Sequence, residues 1–118
     1  MKKALVIESN TGIRRLLIEV LTQEGYSVEA TSDGLQALAR IQECRPSVVL
    51  LDSEMPGIRG IDVLTKISNL SPDLPVILIA HTDEKGVETL LENGLVKYCI
   101  SKPFSLTDLI KLLNSLGI

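Results

Sequence analysis

The 118-residue chain has no tryptophan, one phenylalanine and two tyrosines. That leaves too few rings to sandwich a flavin. Its single histidine, His81, and the lack of a nucleophile-elbow motif before a helix give no support to a serine or cysteine hydrolase. Only one glycine follows the first apolar run, in ESNTGIRR, so the Gly-rich phosphate loop of a nucleotide-binding domain is missing. Positive charge is not in excess: the formal net charge is -3, with no basic stripe for nucleic acid. Lys2-Lys3 and Arg14-Arg15 read as short, solvated basic pairs. No segment approaches the roughly 20 apolar residues that a membrane helix needs. The opening MKKALVIES stops at Glu8, short of a secretory h-region, and has no cleavage site. Cys44 and Cys99 lack metal or redox spacing, which favours reduced thiols in a cytoplasmic protein.

What is present is apolar and periodic. Hydrophobic residues make up 45% of the chain against 23% charged, which fits one domain, 1–118, with a core of its own. LVI (5–7) is a short strand. Ile13, Leu16, Leu17, Val20 and Leu21 form a helical stripe, with Thr11 as its cap and Gly25 as its stop. A weaker strand covers 26–31. Asp33 caps a second helix carrying Leu35, Leu38 and Ile41, and Pro46 precedes a third strand, SVVLL. After a loop over 53–59, Ile61, Leu64 and Ile67 mark a third helix, and SPDLP is a turn before VILIA (76–80). A short helix around Val87, Leu90 and Leu91 ends near Asn93-Gly94, and KYCIS (97–101) is the fifth strand. Ser105 caps a last helix with Leu106, Leu109, Ile110 and Leu113. Five strands alternating with five helices, the first, third and fourth strands nearly pure apolar runs, predict an α/β, doubly wound, flavodoxin-like parallel sheet of order 2-1-3-4-5.

In such a sheet ligands bind beyond the carboxyl ends of the strands, where the strand order reverses. Glu8 and Asp52 end the first and third strands, and Lys102 follows the fifth. Singly, each has a plain reading: Glu8 as a cap or solvated loop acid, Lys102 as a surface residue whose stem covers apolar area. Their convergence on one rim favours function. Clustered carboxylates call for a cation, and Mg²⁺ takes one or two carboxylates with waters and a phosphoryl oxygen. An ionised Asp52 is a competent nucleophile toward phosphorus, with metal and lysine neutralising the transferring group.

LVIES, LLDSEMPGIRGIDVL around Asp52, DLPVILIA and SKPF at 101–104 together resemble the receiver domain of two-component response regulators, over essentially the whole chain. The resemblance implies phosphoryl transfer from a histidine kinase or phosphotransfer protein to Asp52 with Mg²⁺. It also implies that Lys102 holds the phosphoryl group, that Lys102-Pro103 is a cis peptide, and that the Glu54 backbone carbonyl ligates the metal. Enzymatic activity would extend at most to self-phosphorylation from a phosphohistidine donor and autodephosphorylation. The output and homodimer face would be the fourth helix, fifth strand and fifth helix, including Val87, Leu91, Lys97, Tyr98 and Lys111. A downstream protein target or output domain would read that face. No output domain follows Ile118, so the chain reads as a shuttle or adaptor, or as an excerpt of something longer.

Three departures stand out. Ser9 occupies the place of the main metal-ligating Asp, which should weaken Mg²⁺ binding unless Glu8 or Glu54 compensates. Ala80 stands where the family has a Thr or Ser hydroxyl, with Thr82 two residues on and His81 at a position usually small. Cys99 replaces the aromatic that rotates on activation, and alternation points Tyr98 to the opposite face. The alternative function is therefore a receiver-like interaction module that works independently of phosphorylation.

Overall fold

The computed structural model describes residues 2–55, 59–81 and 91–118. Five strands run in the order β1 (Lys3–Ile7), β2 (Ser27–Thr31), β3 (Val48–Asp52), β4 (Val76–Ala80) and β5 (Tyr98–Ser101). All neighbours are parallel, and their order in space is β2-β1-β3-β4-β5, as the alternating pattern predicts. Four helices are described: α1 (Thr11–Gln23), α2 (Gly34–Cys44), α3 (Gly60–Leu70) and a C-terminal helix, Leu106–Ser115. The expected helix around Val87 and Leu90 lies outside the described residues, as do Val87 and Thr82 themselves.

Strand alternation splits the core into two layers. Leu5, Ile7, Val49, Leu51, Leu78 and Ala80 face α2 and α3, packing on Ala37, Ile41, Val63, Leu64 and Ile67. Ala4, Val6, Val48, Leu50, Ile77 and Ile79 face the other way, onto Leu17 and Leu21 of α1 and Leu109 and Leu113 of the C-terminal helix. β3 and β4 are buried along their whole length, which is why they read as unbroken apolar runs. Each such side chain contributes roughly 1.5–3 kcal/mol by leaving water.

The helix ends correct several expectations. The cap of α1 is Asn10, not Thr11: Asn10 is extended, and its Oδ1 accepts from the Ile13 amide at 2.9 Å. Thr11 is already helical. Gly25 ends the helix with φ +91, while the Tyr26 amide turns back to the Leu21 carbonyl at 3.0 Å. Asp33 and Ser105 do cap their helices, through the amides of Leu35 and Asp108. Of the expected stripes, Leu35 is 61% exposed at the start of α2, where Gly34, Ala37 and Ile41 are the buried positions. Leu16 is also exposed, beside a small apolar groove lined by Ile13, Pro103, Phe104 and Leu106. In α3, Val63 is buried together with Leu64 and Ile67, while Ile61 is only partly covered.

Candidate functional site

β1, β3 and β5 end at one rim, and the ladder runs one step past them. The Glu8 amide reaches the Thr31 carbonyl at 3.0 Å, Ser53 reaches Ile79 at 3.0 Å, and Lys102 reaches Ala80 at 2.9 Å. Residues 8, 52 and 102 therefore stay in strand-like register on the face that looks toward α1 and the C-terminal helix. This brings together the three charges picked out in the sequence. Lys102 Nζ donates to Asp52 Oδ1 at 2.7 Å, and the Glu54 amide donates to the same oxygen at 3.0 Å. The Lys102–Pro103 peptide bond is cis.

Burial sets the electrostatics. Glu8 and Asp52 are only 2% and 3% exposed. Burial first, then the hydrogen bond to Asp52 and its negative charge, raise the Glu8 carboxyl from 4.5 to about 7. One Glu8 oxygen accepts from the Asn10 amide at 3.3 Å, while Oε2, among the described residues, meets no donor. With Glu8 ionised that oxygen is an orphan; with Glu8 protonated it has a proton to share with Asp52. For Lys102, burial acts to lower the pKa. The hydrogen bond with Asp52 and the charges of Asp52, Glu8 and Glu54 outweigh it and hold the ammonium above its ordinary value.

The outer part of the rim is more open. Glu54 Oε2 lies 3.7 Å from Lys102 Nζ, and its Oε1 lies 3.4 Å from His81 Nε2, with both Glu54 and His81 about half exposed. Ser9 is half-buried between Glu8 and the start of α1. Its carbonyl and that of Glu8 accept from Arg14 Nη1, at 3.3 and 2.9 Å. Arg14 was expected at the surface; it is half-buried and ties down the loop that carries Glu8. Its position one turn into α1, six residues beyond Glu8, was the signal available in the sequence.

Ala80 and Cys99 pack into the α2/α3 layer, while Tyr98 packs into the α1 layer on the opposite face. The Ala80 methyl, 1% exposed, sits among apolar neighbours. Of the proposed output face, Leu91, Lys97 and Lys111 are exposed.

The residues fit a divalent cation on one observation, the buried Glu8 Oε2 without a donor beside the Asp52 carboxylate. Among the described residues no group of three or more His, Cys, Asp or Glu side chains forms a metal cluster. Mg²⁺ needs no such cluster, since it is bound by one or two carboxylates and keeps much of its water.

A parallel 2-1-3-4-5 sheet with two buried acids and a lysine meeting at its carboxyl-end rim defines a doubly wound α/β domain of the flavodoxin-like class. The chain belongs to the response regulator receiver domain family, whose sequence profile matches residues 4–114. It is 36% identical over 110 residues to the DNA-binding response regulator MtrA of Mycolicibacterium paratuberculosis, covering 92% of this chain and 48% of that one. It is 33% identical over 109 residues to sporulation initiation phosphotransferase F of Bacillus subtilis, covering 92% and 87%. The structure of the chemotaxis protein CheY4 of Vibrio cholerae superposes with a TM-score of 0.88 at 26% identity, covering 98% of both chains. The chain thus spans about half the length of MtrA-type relatives and most of the phosphotransferase. Members of the family work with histidine kinases or phosphotransfer proteins on one side and output domains on the other. Among the described residues no helix is long and apolar enough to cross a membrane.

Proposed function

We propose that this receiver domain accepts a phosphoryl group on Asp52. The observation that carries the reading is the Asp52–Lys102 pair at 2.7 Å, with Asp52 buried at the end of a fully buried strand. A rigid strand end keeps the nucleophile in one place, which lowers the entropic part of the barrier. A carboxylate oxygen of Asp52 attacks phosphorus; the P–N bond of a phosphohistidine donor breaks as the O–P bond forms, and the released imidazole keeps the electron pair and takes up a proton. Lys102 remains within reach of the phosphoryl oxygens, and the Glu54 amide steadies the acceptor carboxylate. Glu8, Asp52 and the Glu54 carbonyl would hold Mg²⁺, with the Ser9 hydroxyl as a weak fourth group. When bound, the ion supplies positive charge against the phosphoryl oxygens. Ser9 in place of a carboxylate makes that binding weak.

The test is intact mass after incubation with phosphoramidate and Mg²⁺. A gain of one phosphoryl group in the parent and none in Asp52→Asn is the expected result. Equal gain in both would move the acceptor elsewhere.

A second reading rests on Ala80 and Cys99. Neither position carries the hydroxyl or the ring by which the family couples phosphorylation to its output, and a domain without that coupling serves as a constitutive interaction module. No mass gain in a folded parent would favour it.

A further inference from the structure

We propose that Gly60 is a positioning residue for the phosphoacceptor: by having no side chain, it lets α3 begin directly on the backbone turn that aims Asp52. This rests on the phosphoacceptor reading above.

The helix start is unusual in its support. Its cap residue, Arg59, makes no side-chain cap hydrogen bond. Instead the Gly60 amide donates to the Ser53 carbonyl at 3.0 Å, so the turn after Asp52 itself caps the helix. A Cβ on Gly60 would stand 2.5 Å from Ser53 Cα, 2.7 Å from the Asp52 carbonyl oxygen and 2.8 Å from the Ser53 carbonyl oxygen. All three are backbone atoms, and no side-chain rotation relieves them. Ser53 cannot retreat easily either, because it is buried and its amide is bonded to Ile79 of β4. Any side chain at 60 therefore pushes the Asp52–Ser53 backbone. One residue further along lies the Glu54 amide, which fixes Asp52 Oδ1 at 3.0 Å. The same push moves the Glu54 carbonyl. By contrast, Gly12 in α1 has only Asn10 Oδ1 near it, at 3.4 Å, and is an internal control.

The experiment compares the parent, Gly60→Ala and Gly12→Ala. Phosphorylation by phosphoramidate is followed by mass, with the rate expressed per folded molecule and the donor concentration varied. Displacements near 1 Å at a reacting group cost roughly a hundredfold, so Gly60→Ala should lose at least about tenfold in maximal rate, with its half-saturating donor concentration little changed. Gly12→Ala should keep the parent rate. Amide NMR shifts in Gly60→Ala should concentrate on Ser53 and Glu54. A parental rate per folded molecule in Gly60→Ala overturns the proposal. If that variant does not fold, hydrogen exchange in the parent decides: a protected Gly60 amide supports the clamp, and an unprotected one overturns it. If the parent itself takes no phosphoryl group, the phosphoacceptor reading fails. The positioning claim is then judged by the Glu54 amide shift alone, and an unmoved Glu54 overturns it.

Discussion

Two clusters among the described residues are built from the same kinds of part, acids gathered around one cation. At the strand-end rim, Lys102 serves Asp52 and Glu8, with side-chain exposures of 16% for Lys102 and 4% for Asp52. At the outer sheet edge, Arg40 lies 3.8 Å from both Glu29 and Glu43, all three about half exposed or more. In the first cluster Glu8 and Lys102 are both held above their ordinary values; in the second, the Glu29 carboxylate accepts from the Cys44 thiol at 2.8 Å and holds that thiol above its ordinary value. The difference lies in solvent and not in the choice of residues. Water and salt screen the edge cluster, whereas the rim cluster must resolve its charges internally.

The largest test removes the rim cation. Lys102→Ala leaves two buried acids facing each other, and at pH 8 it should cost about 2 kcal/mol in urea unfolding, less than a fully buried pair because Glu8 can take a proton. Loss of phosphoryl transfer should exceed the loss of folding, by roughly a hundredfold in rate. A stability loss as small as that of an exposed pair would erase the distinction between the two clusters.

Next comes Glu8→Gln. Folded Glu8 keeps its proton up to about pH 7, while the unfolded carboxyl releases it near 4.5. The folded state therefore binds more protons across that window, and its stability falls as pH rises from about 4.5 to about 7. The expected fall is roughly 1–2 kcal/mol once screening through the open rim is allowed for. The glutamine variant should unfold with the same urea midpoint at pH 5 and pH 8 if Glu8 dominates that slope. A variant slope equal to the parent's would place the titration elsewhere. The smallest effect is at the edge: Arg40→Ala should cost less than about 0.5 kcal/mol in thermal unfolding. A loss above about 1 kcal/mol would make the edge resemble the rim.

Much of this was legible in the sequence where periodicity and covalent proximity govern. The five strands, their order and the meeting of residues 8, 52 and 102 follow from apolar runs and strand parity. Cys99 and Tyr98 part to opposite layers for the same reason. What was not legible depends on how the folded backbone aims particular side chains, near or far along the chain. Arg14 looks like any basic surface residue until α1 is wound and its guanidinium returns to the Glu8 carbonyl. Asn10 and Thr11 are both good caps by composition, and backbone conformation alone chooses between them. Leu35 fits a helical stripe, yet it stands exposed in the first turn of α2, where Gly34 and Ala37 take the buried side. Gly60 is one of eight glycines, and its role depends on the return of α3 to the Asp52–Ser53 backbone. The deep burial of Glu8 likewise shows only in the folded chain, where its 2% exposure departs from the solvated acid its place after β1 suggests.

One feature of the fold bears on how the protein behaves in a crowded preparation. Among the described residues β2 pairs only with β1 and so borders the sheet, where unpaired amides and carbonyls invite another chain to add on. It is five residues long, mostly exposed, and carries Glu29 at its centre. Two copies meeting along β2 would have to bring those glutamates together and draw Glu29 away from Arg40. The same edge cluster that adds little to the fold is thus a guard on its colloidal state.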